Sequence, residues 1–309
     1  MVALPDPQDL YTLDADLPEL ANPAMLYSLD GFIDAGATGA IVTEHLLATL
    51  EHRTVATFDV DRLLDYRSRR PVMTFVKDHW ERYDAPALLL HAVEDQNGGQ
   101  FLLLAGPEPD HEWELFVAAV LRLVERLDVR VAVGFHGIPM AVPHTRPLGV
   151  TAHATRAELV SGHTPFLNRV QVPGSAAALL ELRLGEASRD AIGFAVHVPH
   201  YLAQAPYPAA AVAALDEVIA ATGLTVSTDA LRERAKRTDA EVTRQVESSE
   251  EIKSLVNALE EQYEAYAGAG QRDNLLADDP GNLPTAEELA AQFEQFLAQL
   301  DGPGDNPER

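Results

Sequence analysis

The 309-residue chain contains no cysteine. Disulfide bonds, thiolate nucleophiles and cysteine-ligated zinc or iron–sulfur sites are therefore excluded. Basic residues are also scarce, because 23 Lys and Arg stand against 48 Asp and Glu and give a formal net charge of −25. Nucleic acids and anionic membranes bind to basic surfaces. The composition thus argues against both as partners and favours basic ones.

Long apolar runs are lacking as well. Runs such as residues 209–215 fall far short of the roughly 18 residues that a membrane-spanning helix needs. The first residues have neither the basic nor the apolar region of a signal peptide. Hydrophobic residues nevertheless make up 47% of the chain, which is enough for a sizeable core. We therefore expect a folded cytoplasmic protein.

Two nucleotide-binding motifs, G-x-x-x-x-G-K-[ST] and G-x-G-x-x-G after a strand, are missing. His197 and His200 are three residues apart, but an extended strand would point their side chains in opposite directions. Pro199 prevents a helix from bringing them together. We therefore expect neither a cofactor nor a bound metal.

Strand and helix patterns alternate as far as residue 222. An apolar strand at residues 25–29 precedes a helical segment, and a helix at residues 112–127 joins the next strand through a very short connection. Such short joins are typical of βαβ units. The pattern predicts an α/β core domain over residues 1–222.

The character of the sequence changes beyond this core. Charged helical sequence dominates residues 229–267, and Thr285 with Glu288 forms a capping box before a further apolar stripe. Residues 302–309 are expected to be disordered. We therefore predict a helical C-terminal region over residues 223–309 that ends in a disordered acidic tail.

The loop at residues 31–36 connects the first apolar strand to a helix. Its glycines permit backbone angles that other residues avoid, and the N–H groups of the new helix would point beyond the sheet edge. Asp34 and Gly36 are therefore candidates for contact with a ligand or partner. The alternative is that Asp34 is simply a helix cap.

A second candidate loop, residues 134–148, leaves the carboxyl end of a buried strand, where α/β sheets usually bind ligands. His136 is a candidate general base there, and Arg146 a candidate anion clamp. The alternative is a rigid loop in which Arg146 pairs with a surplus carboxylate. His200, at the end of another buried strand, is a further binding candidate.

Ser175 begins an Ala- and Leu-rich helix. A nucleophilic serine on a G-x-S-x-G turn is disfavoured, because Ala177 occupies the place of the last glycine. A role as N-cap explains the residue completely. If the chain is a binding protein, Ser175 would also line the sheet edge with the other candidates, and it is the sixth residue that we expect to contact a ligand or partner.

One locally basic patch interrupts the acidic sequence, at Arg62, Arg67, Arg69 and Arg70. It is either a solvated loop or a surface that receives an acidic segment of a neighbouring subunit or partner.

Four sequence blocks together resemble the proteasome assembly chaperone 2 family, in a branch from high-GC bacteria because Arg strongly outnumbers Lys. They occur in the family's order: Asp30-Gly31-Phe32-Ile33-Asp34-Ala35-Gly36; Gly137-Ile138-Pro139 with Thr145-Arg146-Pro147; Pro173-Gly174-Ser175; and His197-Val198-Pro199-His200-Tyr201 with Tyr207-Pro208.

The resemblance implies a three-layer αβα sandwich like that of nucleoside phosphorylases and related hydrolases. It also implies self-association into a small ring, for which we expect a trimer. Eukaryotic relatives assist assembly of proteasome α-rings, and some relatives dock through a C-terminal hydrophobic-Tyr-any tail. This chain ends Gly304-Asp305-Asn306-Pro307-Glu308-Arg309, without that tail.

Two hypotheses follow. In the first, the chain is a non-enzymatic chaperone- or scaffold-like protein whose candidate residues gather along one sheet edge to hold a protein partner or a small polar ligand. In the second, it is a phosphorylase- or hydrolase-like enzyme that acts on a small anionic or nucleoside-like substrate. His136 or Asp34 would then be the acid or base, and Arg146 would bind the anion.

Overall fold

The computed structural model describes residues 6–163 and 169–269, with side chains as far as residue 265. Its strands are β1 Tyr11–Leu13, β2 Ala24–Asp30, β3 His52–Phe58, β4 Met73–Val76, β5 His79–Tyr83, β6 Leu89–Glu94, β7 Gln100–Pro107, β8 Val131–Met140, β9 Val150–Ala154 and β10 Ala191–Pro199. Its helices are α1 Thr38–Thr49, α2 Val60–Leu63, α3 Trp113–Arg126, α4 Ala176–Glu186, α5 Pro208–Thr222, α6 Asp229–Glu247 and α7 Glu250–Ala269.

Eight strands form one sheet in the order β1-β3-β6-β7-β2-β8-β10-β9. The four central strands, β7, β2, β8 and β10, are mutually parallel. On one side of this group, β6, β3 and β1 continue the sheet in antiparallel pairs. On the other side, β9 pairs antiparallel with β10. Because the central strands are parallel, their carboxyl ends meet along a single edge of the sheet. Strands β4 and β5 form a separate hairpin.

Both faces of the sheet are covered by helices. In β2, Ala24 and Leu26 pack with α1 and α5, whereas Met25 and Tyr27 pack with α3 and α4. This alternation is the period-2 geometry of a strand, and burial of both faces explains why the central strands read as nearly continuous apolar runs. The predicted three-layer αβα sandwich is confirmed.

The C-terminal helices lie on this core rather than apart from it. Leu231 and Ala235 of α6 belong to the apolar cluster that α1 and α5 form with the sheet. Val256 and Leu259 of α7 are also buried. The helical appendage is therefore confirmed as far as α7, while the domain boundary at residue 222 stays a prediction. The capping box at Thr285 and the disordered acidic tail lie outside the described residues.

One boundary was predicted wrongly. The segment expected to be a loop from residue 134 onward is strand as far as Met140, in parallel register with β10. Its Gly and Pro residues suggested a loop. Beyond Gly134, however, β8 pairs with β10 but no longer with β2, and proline is tolerated in a strand that is paired on one side only. Among the helices of the described residues, none combines the length and apolarity needed to cross a bilayer.

Candidate functional site

The turn between β2 and α1 is organised by the Asp34 carboxylate. It accepts hydrogen bonds from the backbone N–H groups of Gly39 (2.8 Å to Oδ1) and Ala40 (3.1 Å to Oδ2) in the first turn of α1. It also accepts one from Gly137 N–H of β8, at 3.1 Å. Asp34 therefore caps the helix and ties it to the neighbouring strand, as the capping interpretation expects.

Gly36 and Gly137 let three chain segments meet at this edge. Gly36 has a φ of 68°, which favours glycine. Its N–H donates to Ala203 O and its carbonyl accepts from Tyr207 N–H, both at 2.8 Å. A Cβ on Gly137 would lie 2.1 Å from Ala35 O, so only glycine fits there. The structure thus brings together the early aspartate turn, the end of β8 and the segment after β10.

His136 lies within β8, directly before Gly137, and not in a loop. It is half-buried on the α4 side of the sheet, near His153. The Nδ1 atom of His153 lies 2.8 Å from Glu181 Oε1. Burial lowers the pKa of His136, and the neighbouring His153 lowers it further, against the opposing effects of Asp34 and Glu181. The imidazole is therefore neutral at pH 7.

Arg146 lies in the loop after β8 and contacts α7. Its guanidinium lies 2.6 Å from Glu264 Oε1 and 3.2 Å from Glu260 Oε1. The hydrogen bond to Glu264 raises the pKa of Arg146. Two carboxylates already neutralise this cation, so the geometry matches the structural alternative rather than an open anion clamp.

Ser175 is the N-cap of α4, because its hydroxyl oxygen accepts the N–H of Ala178 at 3.1 Å. Glu108 was not among the residues predicted from the sequence. Its carboxylate accepts a hydrogen bond from the N–H of Ala176, the first residue of α4, at 2.6 Å. Burial raises the pKa of Glu108. No sequence motif reveals this residue, since it reaches α4 from the end of a strand far away in the chain. These acceptors occupy the helix N-terminus that an anionic ligand would use.

His200 follows β10 in a short turn near Met140, whose backbone it contacts. Burial lowers the pKa of His200. The Tyr201 ring packs beside it. His144 packs in turn against Tyr201, with its Nδ1 at 2.7 Å from the Tyr201 hydroxyl. This part of the edge is thus a packed polar layer between the sheet and the C-terminal helices.

The six candidates therefore do not converge on one open cleft. Asp34, Gly36 and His136 lie close to Gly137, while Arg146 faces α7 and Ser175 caps α4. Within residues 6–163 and 169–269, no group of three or more His, Asp or Glu side chains is placed to hold a metal ion.

Comparisons with known proteins identify the family. The model of the PAC2 family matches residues 28–246. The chain belongs to the PAC2 family. This confirms the resemblance to the proteasome assembly chaperone 2 family and extends it through α6. A search of curated proteins finds no match.

Several solved structures share this PAC2 fold. A Mycobacterium tuberculosis protein of unknown function, Rv2714, is 45% identical, with a TM-score of 0.82 over 87% of this chain and 92% of its own. A Corynebacterium glutamicum protein of unknown function is 37% identical, with a TM-score of 0.81 over 86% and 99%. The M. tuberculosis proteasome-assembly chaperone homologue Rv2125 is 24% identical, with a TM-score of 0.70 over 75% and 99%. At that identity Rv2125 shows the shared fold alone.

Proposed function

We propose that the chain is a non-enzymatic, chaperone- or scaffold-like protein of the cytoplasm that binds protein partners and assembles into a homotrimer. The observation that carries the proposal is the use of the candidate chemical groups by the protein itself. Three backbone N–H groups donate hydrogen bonds to the Asp34 carboxylate, two carboxylates neutralise Arg146, and Ser175 caps α4. A site built for catalysis would leave such groups directed at a substrate.

The family supports the same role. One PAC2-fold structure is named a proteasome-assembly chaperone homologue, and its fold covers three quarters of this chain. Chaperones of assembly work by presenting surfaces rather than reactive groups. A net charge of −25 suits a basic partner surface, because complementary charge speeds encounter and excludes wrong partners.

The test combines ligand screening with measurement of mass. Nucleosides, inorganic phosphate and sugar phosphates are each added to the full chain, and thermal unfolding is recorded. A ligand at 100 times its Kd would stabilise the fold by about 2.7 kcal/mol. We expect no shift in the midpoint and a mass of three chains by light scattering across micromolar concentrations. Concentration-dependent stabilisation by one of these compounds would support the enzyme instead.

Partner binding is tested separately, with the purified proteasome α-subunit of the organism that encodes the chain. We expect the two proteins to co-elute in size-exclusion chromatography at low salt. Elution as two independent peaks at tens of micromolar would rule out that partner. The proposed function would then be limited to self-assembly as a scaffold.

A further inference from the structure

The β4–β5 hairpin presents an unusual apolar face. Met73 pairs with Tyr83, and Phe75 pairs with Trp80 after a register shift. Paired residues share a face, so the four side chains form one surface, in which the Phe75 and Trp80 rings are 5.0 Å apart. They are 47%, 49%, 54% and 62% exposed, in the order Met73, Tyr83, Phe75 and Trp80.

This face has no cover in the described part of the chain. None of its four residues belongs to either apolar cluster of the core. A two-stranded hairpin is marginally stable on its own in water. An apolar patch of this kind marks an interaction site.

The sequence around the hairpin is basic in an otherwise acidic protein. Residues 67–82 contain five cations, Arg67, Arg69, Arg70, Lys77 and Arg82, and only two anions, Asp78 and Glu81. Arg69 pairs with Asp110, and Arg82 pairs with Asp84.

The other three cations, Arg67, Arg70 and Lys77, are exposed and form no ion pair within the described residues. The hairpin therefore suits an occupant that is apolar on one side and negatively charged on the other.

The chain itself contains a segment with this chemistry. Residues 273–308 carry nine Asp and Glu and no Lys or Arg. Within residues 285–301, Thr285 and Glu288 form a capping box. The apolar residues that follow are spaced for one face of a helix: Leu289, Phe293, Phe296 and Leu300. The same stretch has a formal charge of −4, from Glu287, Glu288, Glu294 and Asp301.

The connection is long compared with the size of the molecule. α7 ends at Ala269, so residues 270–284 link it to the segment. A chain of that length spans at most about 50 Å, and roughly 20 Å on average if it is flexible. A protein of this size has a radius of gyration of roughly 19 Å. Attachment to the same chain also gives an effective concentration near the millimolar range.

We propose that residues 285–301 form an amphipathic helix that docks on the apolar face of the β4–β5 hairpin in the same chain. Leu289, Phe293 and Phe296 cover the aromatic face, and the acidic residues pair with Arg67, Arg70 and Lys77. The docked helix thereby gives the hairpin the packing partner that an isolated two-stranded sheet needs for stability.

The absence of cysteine allows a direct test in the full chain. One cysteine replaces exposed Val72 at the edge of the face, and a second replaces Leu297 of the segment. The matched control keeps the second cysteine and places the first at Leu182, which is 57% exposed on α4. Disulfide formation under mild oxidation at sub-micromolar concentration is followed on non-reducing gels.

We expect a V72C/L297C cross-link within one chain that forms at least tenfold faster than the L182C/L297C cross-link. Equal rates, or cross-linked dimers in place of closed monomers, would overturn the proposal. Two further variants test the chemistry: F293E/F296E removes the apolar face, and R67E/R70E inverts the charge. Both are expected to slow the cross-link severalfold, and added salt is expected to slow the parent pair but not the control.

Discussion

Asp34 shows how much one side chain can organise at the carboxyl edge of a parallel sheet. Its carboxylate satisfies two of the donors that every helix leaves free at its start and adds a bond to the adjacent strand. A single residue thus links a turn, a helix and a strand. Gly137 is needed because the backbone of Ala35 approaches too closely for any side chain, and Gly36 is favoured because its φ of 68° is one that other residues avoid.

We predict that Asp34→Ala lowers the free energy of unfolding by about 2 kcal/mol, since it removes a helix cap and leaves Gly137 N–H without its acceptor. Asp34→Asn keeps an acceptor oxygen and should cost about half as much. Urea denaturation measures both. If Asp34→Ala left stability unchanged, the carboxylate would not be structural and a role in ligand binding would regain support.

Gly137 offers a second test at this scale. Gly137→Ala places a methyl group against Ala35 O, a backbone atom that cannot move aside, so we expect a loss of about 3 kcal/mol. Gly162→Ala is the matched control, because nothing lies within 4 Å of its added Cβ, and it should change stability by less than about 0.5 kcal/mol. Similar losses in the two variants, compared by the same denaturation method, would contradict the close packing of β8 on the turn.

At the scale of elements, α7 is held to the core by polar contacts with the loop after β8. Arg146 pairs with Glu260 and Glu264, and the Tyr263 hydroxyl lies 3.3 Å from Pro147 O. These contacts supplement the burial of Val256 and Leu259. Arg146, for which the sequence left an anion clamp and an ion pair as alternatives, therefore orients a helix.

We predict that Arg146→Ala increases the rate of amide hydrogen exchange in α7 severalfold, because the helix loses its ionic anchor while its apolar contacts remain. Arg237→Ala on α6 is the control, since its guanidinium donates to the Glu233 carbonyl of its own helix and, among the described residues, is in no ion pair with α7. Exchange measured by mass spectrometry on peptides from residues 250–265 gives the readout. Unchanged exchange in Arg146→Ala would show that the ion pairs do not hold α7.

The same elements show what a sequence can and cannot predict. The central strands and the capping role of Ser175 could be predicted, because buried runs and helix starts are local patterns. The β4–β5 hairpin could not, since its apolar residues are exposed and no alternation marks a buried face. The partners of Arg146 and Glu108 lie more than 60 residues away in the chain, so no local pattern identifies them.

At the scale of the whole molecule, buried histidines link stability to pH. Burial lowers the pKa of five of them: His91, His136, His144, His197 and His200. Charged groups modify this effect at three positions. His52 adds to it at His91, and His153 adds to it at His136 against Asp34 and Glu181. Asp239 and Glu260 oppose it at His144. Since these five side chains lie on several strands and loops, protonation acts on the fold as a whole.

The sign follows from proton counting. Near pH 6.5 the unfolded chain binds more protons on these histidines than the folded chain does, so stability rises with pH. We predict that the free energy of unfolding falls steadily from pH 7.5 to pH 5.5. The raised pKa values of buried Glu108 and Asp239 act in the opposite direction, but their ordinary titration range lies below this window.

Denaturation curves at pH 7.5, 6.5 and 5.5 test this dependence, and one variant assigns it. His136→Gln should flatten the pH profile, because a neutral side chain in that half-buried position has no proton to gain. His111→Gln, at an exposed position, should leave the profile unchanged. Stability that rises as the pH falls through 6.5 would mean that the histidines are stabilised in their charged form. The carboxylates around them, Glu181 beside His153 and Asp239 beside His144, would then outweigh burial.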